Sequence, residues 1–235
     1  MEIKIKDLVK QYGKNTVLDI PELTINSGEL VGLVGNNGAG KTTLMRLMLD
    51  LIEATEGYIE TDGHRVNEDV AWKAFTGSFI DGRFLIDFYT PEEYFAFIAR
   101  AYGIDKDSLD RRLEQYRPLM HDEILGTRKY LRQFSEGNRQ KTGIIGAMLV
   151  HPKVLILDEP FNYLDPTSQI TVARLIREMN LQFGTTVIIS SHNLSFVSEI
   201  STRILLLEKG RIIKDLDNLD SNATQELEEY FNTAE

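Results

Sequence analysis

The chain has 235 residues, 42% of them hydrophobic and 26% charged, which is the composition of an ordinary globular protein with room for one large domain or two packed lobes. Its net charge of −10 argues against a nucleic-acid backbone as the main partner, because proteins that bind one carry basic stripes. The absence of cysteine excludes disulfides, thiolate nucleophiles and thiolate metal sites.

The N-terminal residues alternate apolar and charged side chains, which is typical of a strand. A signal peptide would need an unbroken apolar stretch there. No stretch approaches the roughly 18 apolar residues that a membrane-spanning helix requires. We therefore expect a cytoplasmic protein without a membrane span of its own.

The first part of the chain predicts strands, then a strand, a loop and a helix. After the N-terminal strand, a second alternating pattern occupies Val17–Ile25. The apolar run Leu30–Val34 ends in glycine, and the segment Thr43–Ile52 has helical periodicity. Gly57–Asp62 predicts another strand, with Asp62-Gly63 as its turn.

From about Thr90 to Met148 the pattern becomes helical. Thr90 followed by Pro91 is typical of a helix cap with proline at the first helical position. Helical patterns continue through Phe95–Tyr102 and Ser108–Arg117. These segments predict a mainly helical insertion in an α/β protein.

Strand and helix patterns alternate again after the insertion. Val154–Leu157 is continuously apolar, which is typical of a strand buried on both faces of a parallel sheet. A helical pattern at Thr167–Leu181 leads to a second such strand, Thr186–Ser190. A hairpin follows around Lys209-Gly210.

The segment from Gly35 to Thr42 matches G-x-x-x-x-G-K-[ST] in full and lies between the predicted strand and helix that this motif requires. Glycines let backbone N–H groups converge on phosphate oxygens, and the new helix turns its positive end toward that charge. Lys41 would reach the β- and γ-phosphates, and Thr42 offers a hydroxyl to Mg²⁺. The motif predicts binding of a nucleoside triphosphate by Gly35, Asn36, Asn37, Gly38, Ala39, Gly40, Lys41, Thr42 and Thr43.

Two carboxylates, Asp158 and Glu159, follow the apolar strand Val154–Leu157. Because ligands of open α/β sheets bind at the carboxyl ends of strands, both should emerge near the phosphates. We predict that Asp158 holds Mg²⁺ through its water shell and that Glu159 orients or deprotonates the attacking water. Taken alone, two acids after a strand are more often a solvated loop. The phosphate loop favours the catalytic interpretation.

Further motifs resemble those of ATP-binding subunits of ABC transporters, bacterial exporters in particular. Phe134–Lys141 resembles the signature usually written L-S-G-G-Q-R-Q-R, and Asn162–Asp165 resembles the D-loop. His192 resembles the switch histidine, and Tyr12 resembles the aromatic residue that stacks on adenine. The less favoured alternative for Tyr12 is a surface aromatic residue, since stacking an aromatic face on adenine is physically sensible. The resemblance covers almost the whole chain.

The resemblance implies a P-loop NTPase core with an antiparallel β subdomain and the helical insertion. It also implies that Ser135 and Gly137 face the ATP of a second subunit, so that a homodimer or heterodimer carries composite sites. The catalytic residues are then Lys41, Glu159 and His192. Without the resemblance, Ser135 would be an ordinary helix cap and His192 a core histidine.

Some positions depart from the family pattern, among them Phe134, Glu136 and Asn138 in the signature. Because a carboxylate near ATP would repel it, we expect Glu136 to point away or to slow dimer closure. Asp81 is the best match for the metal-binding glutamine or glutamate of the Q-loop, and its shorter side chain requires closer approach to Mg²⁺. The alternative is a loop aspartate that caps a turn.

The predicted organisation is a single domain over residues 1–235. Residues 1–89 and 150–220 form the α/β core, and residues 90–149 form the helical insertion. Residues 221–235 form a terminal helix, for which Asn222 and Gln225 resemble a capping box.

The resemblance implies an ATPase, with ATP and Mg²⁺ as its ligands, that powers transport through a separate transmembrane permease at the cytosolic face of the cell membrane. The style of the signature favours export over import. The alternative is a non-transport ABC ATPase with a regulatory role. Long coiled coils or a second cassette would indicate that class, and the sequence has neither.

Aromatic residues gather near the start of the insertion. Phe84, Phe88, Tyr89 and Phe95 are candidates for a groove that accepts a helix of the permease. The alternative, which we expect for most of them, is a place in the core of the helical insertion.

Overall fold

The computed structural model describes residues 1–192, 194–218, 226–227 and 229–230. Within these ranges the chain forms a four-stranded antiparallel sheet, a six-stranded mainly parallel sheet and seven α-helices. The predicted fold class is confirmed: an α/β core carries an antiparallel sheet and a mainly helical insertion.

The predicted strands and helices follow one another in the predicted order, among further elements that were not predicted. The strands are β1 (Ile3–Tyr12), β2 (Asn15–Ile25), β3 (Leu30–Val34), β4 (Glu56–Thr61), β5 (His64–Arg65), β6 (Thr76–Phe79), β7 (Val154–Leu157), β8 (Thr186–Ser191), β9 (Arg203–Glu208) and β10 (Arg211–Asp217). The helices are α1 (Lys41–Met48), α2 (Pro91–Ala101), α3 (Lys106–Gln115), α4 (Arg117–Met120), α5 (Glu136–Leu149), α6 (Pro166–Phe183) and α7 (Leu194–Ile200).

The antiparallel sheet has the strand order β2-β1-β4-β5. In β1 the side chains of Ile3, Ile5 and Leu8 are buried while Lys4 is exposed, because one face of the sheet covers the core. The predicted Asp62-Gly63 turn joins β4 to β5, and both of its residues have positive φ, as a two-residue hairpin requires.

The larger sheet has the order β10-β9-β3-β8-β7-β6, in which β9 and β10 are antiparallel and the other pairs are parallel. Every residue of β3 and β7 is buried, as predicted for Val154–Leu157. The carboxyl ends of β3, β8, β7 and β6 are therefore neighbours along one edge of the sheet.

Hydrophobic cores cover both faces of this sheet. On one face, Leu44 and Met45 of α1 pack with side chains of the antiparallel sheet such as Ile5. On the other, buried residues of the helical segment such as Phe95 and Ile144 belong to one core with the sheet. The parallel sheet is thus a buried middle layer, which accounts for its apolar strands.

The helices predicted between Thr90 and Met148 are present. A capping box starts α2: Thr90 Oγ1 accepts a hydrogen bond from the Glu93 N–H at 3.3 Å, and the Glu93 carboxylate accepts one from the Thr90 N–H at 2.8 Å. The pattern Ser108–Arg117 divides into α3 and the short α4, because Pro118 has no N–H to continue the ladder.

Some predicted boundaries are wrong. The helix predicted as Thr43–Ile52 begins directly after Gly40 and ends at Met48, and Asp50 then takes a positive φ of 52°. The terminal capping box at Asn222 and Gln225 lies outside the described residues, whereas Leu227 is helical and buried. Among the described residues, no helix has both the length and the apolar character needed to cross a bilayer.

Candidate functional site

Three neighbouring strands bring the predicted catalytic residues to one edge of the parallel sheet. Gly35 follows β3, Asp158 and Glu159 follow β7, and His192 follows β8. Because β8 lies between β3 and β7, residues far apart in the chain meet at adjacent strand ends, where open α/β sheets bind their ligands.

The phosphate loop is closely packed on its surroundings. Gly35 has a φ of 152°, and a Cβ at this position would lie 2.2 Å from the backbone oxygen of Leu207, so only glycine fits. Lys41 is 7% exposed, and its Nζ donates hydrogen bonds to the carbonyl oxygens of Gly35 at 2.6 Å and Asn36 at 3.4 Å. The Lys41 side chain thus folds back onto the phosphate loop.

Asp158 connects the phosphate loop to β8. Its Oδ2 accepts a hydrogen bond from Thr42 Oγ1 at 2.5 Å, and its Oδ1 accepts one from Ser190 Oγ. Burial raises the pKa of the Asp158 carboxyl, and the bonds from Ser190 and Thr42 act in the opposite direction. A hydroxyl and a carboxylate side by side are hard oxygen donors, the type that Mg²⁺ prefers.

Glu159 lies between two cationic or ionisable partners. Its Oε2 is 2.9 Å from His192 Nδ1 and accepts a hydrogen bond from the His192 N–H at 3.3 Å, while Oε1 is 3.8 Å from Lys41 Nζ. Its backbone N–H donates to Ser190 Oγ at 2.8 Å. The residue has a φ of 47°, which is uncommon outside glycine and is found at functional sites where neighbours enforce it.

The signature-like segment begins helix α5. Ser135 is exposed and caps the helix, accepting a hydrogen bond from the Asn138 N–H at 3.2 Å. A Cβ on Gly137 would lie 2.7 Å from the carbonyl oxygen of Tyr163, so this glycine allows the helix to press on the segment that follows Glu159.

A cavity of about 410 Å³ separates the start of α5 from the strand ends. Asp158 and Glu159 border it on one side and Glu136 on another. The charge of Glu136 also lies in the first turn of α5, where it favours the helix N-terminus. The effect of Glu136 on dimer closure stays a prediction.

Asp81 caps a turn, as in the alternative interpretation. Its Oδ1 accepts a hydrogen bond from the Arg83 N–H at 2.8 Å, and its Oδ2 accepts one from Arg83 Nη2 at 2.6 Å. The Arg83 guanidinium lowers the pKa of this carboxyl. Asp81 borders the same cavity as Asp158, but Arg83 occupies its carboxylate, so its role as a metal ligand stays a prediction.

Tyr12 ends β1 and is 54% exposed, with Lys10 Nζ 4.8 Å from its ring centroid. The hairpin that carries it borders the phosphate loop, since a Cβ on Gly40 would lie 3.1 Å from the Val17 carbonyl oxygen. Its ring is exposed on this hairpin, and its stacking on adenine stays a prediction.

The aromatic residues near the start of the helical segment do not share one environment. Phe95 is fully buried and Tyr89 is partly buried, whereas Phe84 is 59% and Phe88 66% exposed. The expectation that most of them belong to the core is therefore wrong. Phe84 closes a single 3-10 turn and Phe88 lies in a short loop, so neither has a helix face to bury.

Sequence reasoning missed three residues that hold the site together. Ser190 bonds both Asp158 and the Glu159 backbone. Gln140 Nε2 donates to the Glu159 carbonyl oxygen at 3.0 Å, and Arg139 holds the neighbouring loop. Their positions in the sequence could have indicated them, because Ser190 ends a predicted strand and the other two lie in the signature-like segment.

Known proteins with similar sequences are named as ATP-binding proteins of transport systems. The chain is 33% identical to the bacitracin transport ATP-binding protein BcrA of Enterococcus faecalis over 92% of its own length and 69% of that protein. It is 32% identical to the lantibiotic transport ATP-binding protein SrtF of Streptococcus pyogenes, over 98% of this chain and 96% of SrtF. It is also 32% identical to a probable sulfate/thiosulfate import ATP-binding protein, CysA of Chlorella vulgaris, with coverage of 91% and 90%.

Solved structures agree. An ATP-binding subunit of an ABC transporter superposes with a TM-score of 0.84 at 28% identity, covering 96% of this chain and 93% of that one. The dimeric structure of MJ0796, a bacterial ABC transporter cassette, shares the fold with a TM-score of 0.82 at 22% identity, over 92% and 98% of the two chains. The ABC transporter family model matches residues 18–162, more than half of the chain. The chain therefore belongs to the ABC transporter family, as one of its ATP-binding and ATP-hydrolysing proteins.

Proposed function

We propose that this chain is the ATP-hydrolysing subunit of a transporter whose membrane-spanning part is a separate protein. The observation that carries the proposal is the contact network at the three strand ends. It joins Thr42 to Asp158, Lys41 to Glu159, and Glu159 to His192. These are the groups that phosphoryl transfer to water requires: a cation that binds the phosphate oxygens, metal ligands and a base.

Nucleotide binding would rearrange Lys41. In this structure its ammonium group is paired with the carbonyl oxygens of the loop, and phosphate oxygens are stronger partners for a cation. We propose that the phosphates take over these bonds while the loop N–H groups and the start of α1 hold the remaining oxygens. Tyr12 would supply a stacking surface for adenine.

The residues beside the loop fit Mg²⁺. Thr42 and Asp158 would hold the ion, Asp158 through its water shell, with Asp81 as a further candidate after release from Arg83. Bound there, the ion would neutralise charge on the phosphate oxygens. The same Thr42–Asp158 pair keeps both donors in place before the ion arrives.

Glu159 is the proposed base. Its carboxylate is oriented by His192 on one side and by the Lys41 charge on the other, and its backbone is fixed by Ser190. A carboxylate held in this way can orient the attacking water and accept its proton. The imidazole of His192 would donate a hydrogen bond toward the γ-phosphate.

We further propose that the active form is a dimer in which Ser135 and Gly137 complete the site of the opposite subunit. Lys41, Thr42 and Glu159 all approach the nucleotide from the parallel sheet, which leaves the far side of the γ-phosphate without donors from that sheet. The exposed N-terminus of α5 offers such donors to a partner. The MJ0796 cassette, which shares this fold, is dimeric in its solved structure, and this supports a dimer here.

Coupling to a permease rests on the exposed aromatic residues Phe84 and Phe88, which lie in the loop that follows Asp81. For direction we propose export. BcrA and SrtF, named for bacitracin transport and lantibiotic transport, match this chain over more than nine-tenths of its length. CysA, named for import, matches at a similar identity, so direction needs its own measurement.

The test is co-purification followed by transport. A tagged chain purified in detergent from its native membranes should carry an integral membrane protein in fixed ratio. The pair in vesicles should consume ATP and move substrate, and Glu159→Gln should stop both. Glu178→Gln, on the exposed face of α6, is the matched control that should keep both. Recovery of the chain without any membrane partner would favour a regulatory ATPase.

A further inference from the structure

We propose that Gln140 is a positioning residue that sets the backbone of Glu159, so that helix α5 controls the proposed base within the same subunit. The inference rests on the proposed role of Glu159. Gln140 Nε2 donates a hydrogen bond to the Glu159 carbonyl oxygen at 3.0 Å. The side chain is 7% exposed, and the bond is partly buried at the edge of the cavity that Asp158 and Glu159 border.

The backbone of Glu159 needs such support. A positive φ of 47° at a residue with a side chain is costly and persists only where neighbours hold it. Three bonds hold it: Ser190 Oγ accepts the Glu159 N–H at 2.8 Å, and the Glu159 carbonyl accepts from Gln140 Nε2 at 3.0 Å and from the Asn162 N–H of the following turn at 3.2 Å. The first comes from the parallel sheet and the second from α5.

Helix α5 is itself fixed to the loop that follows β6. Arg139, next to Gln140, donates to the carbonyl oxygens of Gly82 at 2.8 Å and Leu131 at 3.0 Å and to the Asp87 carboxylate at 2.8 Å. Gly137, one turn earlier, presses against the Tyr163 carbonyl. A shift of the loop that carries Phe84 and Phe88 would therefore reach Glu159 through α5 and Gln140.

The experiment compares Gln140→Met with Thr142→Val. Methionine keeps most of the volume but cannot donate the hydrogen bond. Thr142 lies on the same helix and is fully buried, and among the described residues its hydroxyl bonds only the Asn138 carbonyl one turn away, at 2.7 Å. Both variants lose one partly buried hydrogen bond, but only the first loses it to Glu159.

We expect Gln140→Met to lower the kcat for ATP hydrolysis roughly five- to tenfold, the scale of one lost hydrogen bond, with the KM for ATP unchanged. Thr142→Val should keep kcat within about twofold of the unsubstituted chain, since its loss is internal to the helix. Equal kcat values for the two variants, or a change confined to KM, would overturn the proposal.

Amide hydrogen exchange gives a readout that needs no turnover. Gln140→Met should exchange faster over residues 159–163, and Thr142→Val should not. If Gln140→Met does not fold, Gln140→Glu has the same shape, and its carboxylate oxygens would face the Glu159 carbonyl, so a loss of kcat at least as large is expected. Unchanged exchange in the folded variant contradicts the proposal. Glu159→Gln, measured alongside, tests the base assignment separately.

Discussion

The Nδ1 atom of His192 lies 2.9 Å from Oε2 of Glu159, although 33 residues separate the two in the chain. The contact joins the end of β8 to the end of β7 and is reinforced by the His192 N–H, which donates to the same oxygen at 3.3 Å. It fixes the direction of a carboxylate whose other oxygen lies 3.8 Å from the Lys41 ammonium. An acid held between these two groups has few orientations left, as a base for water requires.

Replacement of the proposed base tests this arrangement. Glu159→Gln should preserve ATP binding and lower turnover at least about 100-fold, because an amide cannot accept the proton. The variant should also accumulate as an ATP-bound dimer, visible by size-exclusion chromatography. His192→Ala should reduce turnover with ATP affinity nearly unchanged. Retention of most turnover in Glu159→Gln would remove this residue from the base role.

The second prediction concerns Tyr12. If its exposed ring stacks on adenine, Tyr12→Ala should weaken ATP binding by about 1 kcal/mol, the scale of an aromatic stacking contact. Tyr12→Phe is the matched control and should bind ATP like the unsubstituted chain. Calorimetric titration measures both affinities. Equal affinity in Tyr12→Ala would make Tyr12 a surface aromatic residue.

The third prediction is that turnover requires the dimer. Specific activity should rise with protein concentration and level off once dimers saturate, because donors on the exposed side of the γ-phosphate come from the partner. Ser135→Arg should abolish turnover while ATP binding to the monomer stays close to normal. Activity per chain that stays constant through dilution to verified monomers would contradict the composite site.

A mixing experiment sharpens the same point. Lys41→Ala disables the phosphate loop of its own chain, and Ser135→Arg disables the face that completes the other chain's site. In a heterodimer of the two variants both defects fall in one site, so the other site retains all its parts. Turnover by the mixture, above that of each variant alone, is the expected result.

The fourth prediction concerns stability at acid pH. Asp165 caps α6 and accepts hydrogen bonds from the hydroxyl and the backbone N–H of Ser168. These bonds, of which the hydroxyl has the larger effect, lower the pKa of Asp165 from 3.8 to about 2. A lowered folded-state pKa means that the ionised form stabilises the fold. That contribution is complete above pH 4 and is lost as pH falls toward 2.

Urea unfolding measures this effect. At pH 7, Asp165→Ala should lower the free energy of unfolding by roughly 1 kcal/mol, the usual scale of a lost helix cap. The difference from the unsubstituted chain should shrink as pH falls from 4 to 2. Asp165→Asn keeps an acceptor without an ionisable proton, so its stability should lack this acid-dependent step. A difference for Asp165→Ala that is constant over this range would contradict the assignment.

The sequence by itself determined the parts whose physics is local. The phosphate loop can be identified from the sequence because eight consecutive residues, Gly35 to Thr42, supply all of its chemistry. The start of α2 can be identified from the sequence because a helix cap involves only four residues, here Thr90 to Glu93. The buried strand Val154–Leu157 follows from its short unbroken apolar run, which is typical of a strand covered on both faces.

Only the tertiary structure decided which polar groups hold the site. Thr42 and Asp158 are 116 residues apart, and their contact depends on the strand order that places β8 between β3 and β7. Gln140 reaches Glu159 because Gly137 lets α5 approach the backbone at Tyr163. Hydrogen bonds form wherever folding leaves a buried donor and acceptor in reach, and sequence distance does not limit that choice.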